Sequence, residues 1–412
     1  MSTALKFLHA ADLHLDQPIT GLAEIPAHIK ETLANAPYAA AERLFDLAVN
    51  ERVDFVLLAG DVVDLDRGGP RCAAFLLGQF ERLADKDIHV YWCGGEVDQP
   101  DRWPNAIKLP ENVTVFPSSL VEHATHLRDG KAIATICGSG IDNRRRNPSD
   151  FRVADEHPFP IALTHGEMET TSMAAQNINY WALGGQHKRK VIDKTNTVAV
   201  YPGTTQSRNP QEAGGYGCTM VTVDIKGKMR IQEFELDSIR WCLQRITVAE
   251  NAKLGDLKDN LGDRCLKIRS EYPDQLVLCK WKISTTGDFN AKLRNEETRK
   301  ELMTWLRNEF GQSSGGLWTV SLKIDPPRSL PADWYEEETI LGDYLRAVGR
   351  FQGDSSMSLT LMDYLPSNGT EDDWLAELGR IPGEQRESIL RKASLIGVEY
   401  LARHDKDQQE LV

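Results

Sequence analysis

What most constrains this chain is a series of short apolar runs that each end on ligand-type side chains. Lys6–Ala11 runs into Asp12-Leu13-His14, and Phe55–Ala59 into Gly60-Asp61. His89–Cys93 runs into Gly94-Gly95-Glu96-Val97-Asp98, Ile161–Thr164 into His165, and Trp181–Leu183 into Gly184-Gly185-Gln186-His187. Short apolar runs bounded by Gly and Asp read as buried strands. Val113–Phe116, Ala132–Cys137 and Val198–Tyr201 add three more, and Cys218–Ile225 with Met229–Leu236 reads as a hairpin around Lys226-Gly227-Lys228. Helical patterns at Ala39–Glu51 and Cys72–Ala84 lie between the early strands. Buried strands separated by helices predict an α/β layered domain, in which ligands gather at the carboxyl ends of strands.

Five such ends carrying Asp, Glu or His form a metal-site pattern. Carboxylate oxygen suits hard divalent cations, and manganese, iron and zinc also accept imidazole. A pair of ions needs one shared carboxylate and about three ligands on each side. Asp12, His14, Asp61, Glu96, His165 and His187 can supply that set. Asp12 and His14 are two apart, which predicts side chains on one face of an extended strand end. Asp61 follows a glycine in GDVVD and is the candidate bridging carboxylate. The expected alternatives for these residues are a polar strand end, a backbone-satisfied histidine (His165) and a solvated loop carboxylate (Glu96).

The motifs ADLHL (11–15), GDVVD (60–64), THGE (164–167) and YWALGGQHKR (180–189) resemble those of the calcineurin-like metallophosphoesterases. Within that family they are most similar to the DNA-repair exonuclease branch, the SbcD and YhaO type. The segment 201–224 resembles the strand, loop and strand that follow the last metal motif there. The resemblance covers residues 5–237 well and the remainder by layout only. It implies a layered β-sandwich flanked by helices, followed by a small α/β capping domain and a helical C-terminal segment. It also implies a divalent metal, manganese first, with metal site one formed by Asp12, His14, Asp61 and His187. Site two takes Asp61, His165 and Glu96.

Two departures weaken the second site. Where the family has GNH(D/E), this chain has Gly95-Glu96-Val97-Asp98, so a valine stands where a transition-state histidine is expected. Where it has GHxH, this chain has Gly184-Gly185-Gln186-His187, so Gly185 replaces an imidazole ligand. A valine donates neither a proton nor a hydrogen bond, and general acid–base help is typically worth ~10²–10⁴-fold. The candidate catalytic groups are Asp61 and Asp98; Glu96 or Asp98 can serve as an acid only with a raised pKa. Lys188 and Arg189 are candidate phosphate contacts.

Pattern changes along the chain set the expected domains: 1–237 nuclease-like, 238–328 capping, 329–412 partner-docking. In the second, Ile239–Val248, Cys265–Ser270, Leu276–Ser284 and Leu317–Lys323 alternate, a helical stretch lies near Asn295–Phe310, and Asp325-Pro326-Pro327 closes the region. In the third, Thr339, Ile340, Tyr344, Leu345, Val348 and Phe351 fall at helical spacing, as do Ile389, Leu390, Ala393, Ile396, Val398 and Leu401. Residues 354–358 and 366–373 are polar breaks.

Charge then bears on partners. The net charge of −13 over 412 residues argues against a nucleic-acid binder at first sight. Residues 329–412 hold 17 acidic and 8 basic side chains, leaving 44 acidic and 40 basic in the first 328. The acidity therefore sits in the helical tail, while local basic runs occur at 144–146 and 188–190. The resemblance implies DNA as substrate, dimerisation through helices near the start, and an SMC-like coiled-coil ATPase of SbcC or YhaN type docked on 339–403. No apolar run reaches the ~18 residues of a membrane span. Seven scattered cysteines without a CxxC pair, and a start that reads as a strand rather than an export signal, predict reduced thiols in a cytoplasm. The leading expectation is a metal-dependent DNA exo/endonuclease subunit. The alternative is an impaired homologue that binds DNA or regulates the ATPase. A third reading, a small-nucleotide phosphodiesterase, is disfavoured by the long C-terminal extension.

Overall fold

A computed structural model describes residues 3–409 apart from 105–106, 142–145, 155–156, 195–196, 250, 313–315, 326–329, 331–332 and 358–382. Arg144, Arg145, Pro326, Pro327 and the break at 366–373 lie outside the described residues.

Two six-stranded sheets form the first part of the chain. One contains β1 (Thr3–Ala10), β2 (Phe55–Ala59), β3 (His89–Cys93), β4 (Val113–Phe116), β11 (Gly217–Asp224) and β12 (Met229–Glu235), in the order β12-β11-β1-β2-β3-β4. The other contains β5 (Glu122–Arg128), β6 (Lys131–Ser139), β7 (Pro160–His165), β8 (Tyr180–Gly184), β9 (Lys190–Lys194) and β10 (Thr197–Tyr201), in the order β5-β6-β7-β8-β10-β9. β1 through β4 pair in parallel, as do β6, β7, β8 and β10. Their carboxyl ends therefore point the same way within each sheet.

The strand period of two explains the layers. Phe7, Phe55, Leu57 and Ala59 point between the sheets, where they meet Tyr91, Ile136, Leu163, Tyr180 and Val200. Their neighbours Leu8, Ala10, Val56 and Leu58 point the other way. They pack on Leu44 and Phe45 of α1 (Ala27–Glu51) and on Leu76 and Phe80 of α2 (Leu65–Ala84). Strands buried on both faces read as continuous apolar runs, which is why they were legible.

β5 and β9 were not expected. Each sits at an edge of the second sheet, and both are rich in charged or polar residues, EHATHLR and KVIDK. Charged edge strands protect a sheet from pairing with another chain, and that composition hides them from a search for apolar runs.

A third sheet has the order β13-β14-β15, formed by Ile239–Thr247, Leu276–Ser284 and Leu317–Ile324. The strand expected at Cys265–Ser270 is instead the end of α3 (Leu254–Glu271). Leu257, Leu261, Cys265 and Ile268 are its buried residues, and their spacing is helical. α4 (Gly287–Arg294) and α5 (Glu296–Phe310) follow β14. α6 (Asp333–Glu336), α7 (Ile340–Gly353) and α8 (Gly383–Gln409) come last.

By contacts the chain divides into two compact units. One comprises Met1–Arg245, Gly255–Lys282 and Arg299–Lys323, and the other Ile246–Leu254, Ile283–Thr298 and Ile324–Val412. The pattern boundaries at 237/238 and 328/329 are a different division, carried below as a proposal. In the second unit α7 and α8 pack on one another. Leu345, Val348, Leu390, Leu395 and Val398 are buried, and the Tyr344 hydroxyl donates to the Ala393 carbonyl at 2.8 Å. Ile340, Ile396 and Tyr400 stay exposed, at 76%, 53% and 75%.

Candidate metal centre

The loops that leave β1 and β2 are joined by backbone hydrogen bonds, as are those that leave β7 and β8. The Asp12 N–H donates to the Gly60 carbonyl and the His14 N–H to the Asp61 carbonyl, each at 3.0 Å. The Gly166 N–H donates to the Gly184 carbonyl at 3.0 Å. β1 stops at Ala10, so Asp12 and His14 do not ride an extended strand end. Their φ values are +54° and +43°, and that of Asp61 is +53°. Three left-handed non-glycine residues, all of metal-ligand type, are an unusual concentration, since each such residue costs of order 1–3 kcal/mol. The strain is held by the surrounding hydrogen bonds and aims the three side chains at one place.

Two ligand clusters result, Asp12 with His14 and His187, and Asp12 with Asp61 and His165. Within each, one ligand atom per residue lies within 4.8 Å of the others. Asp61 Oδ2 stands 3.7 Å from His14 Nε2 and 3.6 Å from His165 Nε2. These separations exceed a hydrogen bond and suit two atoms that share an ion. The same oxygen faces both imidazoles, the position a bridging carboxylate needs. Its partner Oδ1 accepts the Val97 N–H at 3.1 Å.

The residues fit a divalent metal on observations of the donors themselves. His14 Nε2 is buried with no hydrogen-bond partner. Burial first, then the charge of Arg208, holds the His14 pKa down to about 2, so its imidazole is neutral, the metal-binding form. His165 Nδ1 donates to the Ala59 carbonyl at 2.8 Å, and His187 Nδ1 to Glu212 Oε1 at 2.9 Å. The first of these bonds leaves His165 Nε2 facing Asp61, the usual way a protein orients a ligating histidine. Burial raises Asp12 to about 6, with the Asp61 charge adding to it and His165 opposing. Burial also works against the His165 imidazolium, but Asp61 and Asp12 outweigh it and raise its pKa. Two buried carboxylates this close are an anionic pocket that a cation neutralises. A divalent ion held there supplies charge neutralisation on a phosphate and acidification of a bound water.

The other sequence candidates are placed differently. Glu96 is exposed and belongs to neither cluster. Asp98 is buried, and its carboxylate is fully engaged: Oδ1 accepts the N–H groups of Asp61 at 2.9 Å and Gly95 at 2.6 Å. Oδ2 accepts the Val62 N–H and the Trp92 indole N–H, both at 2.9 Å. Burial raises its pKa, which these bonds oppose. These bonds fix the turn that carries Asp61. Arg189 is committed to Glu233 at 3.1 Å and to Thr219 at 2.6 Å, and Lys188 is exposed. The Arg146 guanidinium donates to the Ser118 carbonyl.

Gly185 is more than a missing imidazole. Its N–H donates to both Asp12 oxygens, at 3.2 and 3.0 Å. Its φ is +90°, and a Cβ there would stand 3.1 Å from His165 Nε2. The backbone amide has taken up the Asp12 carboxylate on this side.

Sequence reasoning missed Gln17, Arg208 and Glu212. Arg208 Nη1 donates to Gln17 Oε1 at 2.9 Å, and the Gln17 amide nitrogen lies 3.1 Å from His14 Nδ1. Arg208 Nη2 lies 3.1 and 3.2 Å from the two His187 ring nitrogens. Glu212 Oε2 accepts the Arg208 N–H at 2.7 Å. Arg208 and Glu212 are 5% and 6% exposed although they sit in a loop, next to the fully buried Thr204 and Thr205. An Arg and a Glu four apart just after the last strand of the second sheet was the available signal.

Such a sandwich, with a histidine and carboxylate cluster at its strand ends, defines a metallophosphoesterase. Residues 5–201 match the family model described as Calcineurin-like phosphoesterase. The chain is 30% identical over 331 residues to "Uncharacterized metallophosphoesterase YhaO" of Bacillus subtilis (strain 168), covering 74% of this chain and 81% of that protein. The chain belongs to the calcineurin-like phosphoesterase family. Among solved structures, a dimetal phosphatase from Danio rerio is 11% identical with a TM-score of 0.34, covering 57% of this chain and 99% of that one. Vps29 complexed with Zn²⁺ from Entamoeba histolytica is 11% identical with a TM-score of 0.27, covering 57% and 100%.

Proposed function

We propose that the chain is a metal-dependent phosphodiesterase of the nuclease type. It acts on DNA in repair, in a cytoplasm, beside an SMC-like ATPase. The observation that carries this reading is Asp61 Oδ2 set between His14 Nε2 and His165 Nε2, at 3.7 and 3.6 Å. Asp12, His14, Asp61 and His187 hold the stronger ion, Mn²⁺ by donor type, and Asp61 with Asp12 and His165 the weaker one. The division into a nuclease-like part (1–237), a cap (238–328) and a docking tail (329–412) belongs to the same proposal, as does dimerisation through the early helices. The exposed Ile340, Ile396 and Tyr400 support a protein partner for the tail, because a paired helix that still exposes large apolar side chains offers them to another surface. Among the described residues no helix is long and apolar enough to cross a membrane.

A second reading, an impaired homologue that regulates the ATPase or holds DNA, is favoured by one observation. Val97 and Gly185 remove two imidazoles while Glu96 points to solvent. One experiment separates the two. The Mn²⁺-loaded chain and its Asp61→Ala variant are assayed on linear and hairpin DNA, with and without the ATPase. Cleavage by the first alone supports the enzyme, and equal inertness removes it. Turnover of cyclic phosphodiesters with no DNA preference favours the small-nucleotide reading.

A further inference from the structure

A cavity of about 170 Å³ lies against the candidate metal centre, and the reading above does not use it. Trp92, Val97, Pro100, Trp103, Leu109 and Val115 line it. Asp64, Asp66, Asp98, Gln99 and Arg102 supply its charged and polar groups.

The cavity and the metal centre share a wall. Val97 gives its backbone N–H to Asp61 Oδ1 at 3.1 Å and also lines the cavity. Asp98, which fixes the Asp61 turn, lines it as well. A valine at position 97 is thus an apolar lining residue directly beside the bridging carboxylate.

The two indoles present ring surface and no free donor. The Trp92 N–H is used by Asp98 at 2.9 Å, and the Trp103 N–H by the Ile107 carbonyl at 2.8 Å. Their rings meet edge to face, with centroids 5.6 Å apart at 83°. A cavity of ~150 Å³ is enough to hold benzene, so this volume suits one planar ring system. Three carboxylates, Asp64, Asp66 and Asp98, outnumber the one cation, Arg102, which disfavours a phosphate. Asp98 is spent within the fold, so Asp64 and Asp66 are the acceptors for N–H groups. The occupant that matches is flat, apolar on its faces, uncharged, and edged with N–H donors. Those are the properties of a nucleobase, whose exocyclic amines pair with Asp.

We propose that this cavity seats an unstacked nucleobase of the substrate, next to the phosphate held at the metal centre. The proposal deepens the nuclease reading and rests on it for the identity of the phosphate. It makes the preferred substrate a single strand or a frayed end rather than an internal duplex, because a base enters only after leaving the stack.

The test separates binding from chemistry. Adenosine and cytidine, which carry no phosphate, are titrated into the full chain without metal, and the Trp indole N–H resonances are followed by NMR. Saturable shifts that include Trp103 are expected, absent in both Trp103→Ala and Leu109→Trp, the second of which fills the cavity without removing the stacking ring. Trp103→Phe keeps a ring and retains binding. In the cleavage assay, Trp103→Ala raises KM for single-stranded DNA by roughly 5- to 150-fold, as expected from the loss of one stacked base. An abasic end produces the same rise in the unmodified chain. The proposal is overturned if nucleosides cause no shift up to millimolar concentration, if both variants bind as before, or if cyclohexanol competes as well as adenosine. Nucleoside binding without DNA cleavage retains the base site and sinks the nuclease reading, so the two failures are distinguishable.

Discussion

At the residue scale the centre depends on groups that orient ligands as much as on the ligands. Glu212 holds His187 through Nδ1 at 2.9 Å, and losing such a partner typically costs roughly 10–100-fold in metal affinity. Glu212→Ala is expected to weaken Mn²⁺ binding by about that factor, measured by isothermal titration; unchanged affinity would show that His187 needs no orienting carboxylate. Position 185 gives a less intuitive expectation. Putting histidine back does not rebuild the second site, because φ is +90° and the new Cβ would crowd His165 Nε2 at 3.1 Å. Gly185→His is expected to lose about 1–3 kcal/mol of stability in urea unfolding without gaining bound metal. A second equivalent of Mn²⁺ in that variant would refute this.

At the scale of elements, each strand matters for where it stops. β1 and β2 end just before Asp12 and Gly60-Asp61, so the chain turns left-handed at the top of the first sheet. β7 and β8 deliver His165 and the 184–187 turn from the second sheet. The helical pair of the other unit has its own tight point. Gly397 of α8 lies under the Tyr344 ring of α7, where a Cβ would come within 2.0 Å of Cε1. Gly397→Val is expected to destabilise the pair by about 1–3 kcal/mol, as overpacking does. Hydrogen exchange across 340–353 would then speed up, and unchanged protection there would show that the two helices do not support each other.

For the molecule as a whole, metal and folding are linked. The centre draws Asp12 and Asp61 from the first sheet and His165 and the 184–187 turn from the second, so it exists only when both are formed. A ligand that binds only the folded state stabilises it by RT ln(1 + [L]/Kd), about 2.7 kcal/mol at a hundredfold excess over Kd. Thermal melts with Mn²⁺ are therefore expected to shift upward, and chelation to reverse the shift. Asp61→Ala removes the carboxylate that faces both His14 and His165 and should abolish the response; an equal shift in that variant would place the metal elsewhere. The same scale resolves the charge. The −13 of the chain is concentrated in residues 329–412, with 17 acidic and 8 basic side chains, and so leaves the first 328 residues near balance.

Most strands of the two sheets were legible because strands buried on both faces cannot be written in polar residues, and the largely exposed edge strand β12 because it forms a hairpin with β11. The charged edge strands β5 and β9 were not, because nothing apolar marks them. Asp12, His14, Asp61, His165 and His187 were readable as candidate strand-end ligands by residue type and order, and the structure brings them into two clusters. Sequence by itself thus determined the layered fold, the available donor types, and a valine at 97 and a glycine at 185 within the motifs. The tertiary structure decided what those residues face. It turned Glu96 to solvent, spent Asp98 on a turn, drew Gln17, Arg208 and Glu212 around the histidines, and placed Val97 between a carboxylate and an aromatic cavity. The reason is physical: residue type fixes which chemistry is available, but hydrogen-bond partners and burial are set by segments far apart in the chain. Asp61 and His165 are 104 positions apart, yet one oxygen and one nitrogen stand 3.6 Å from each other.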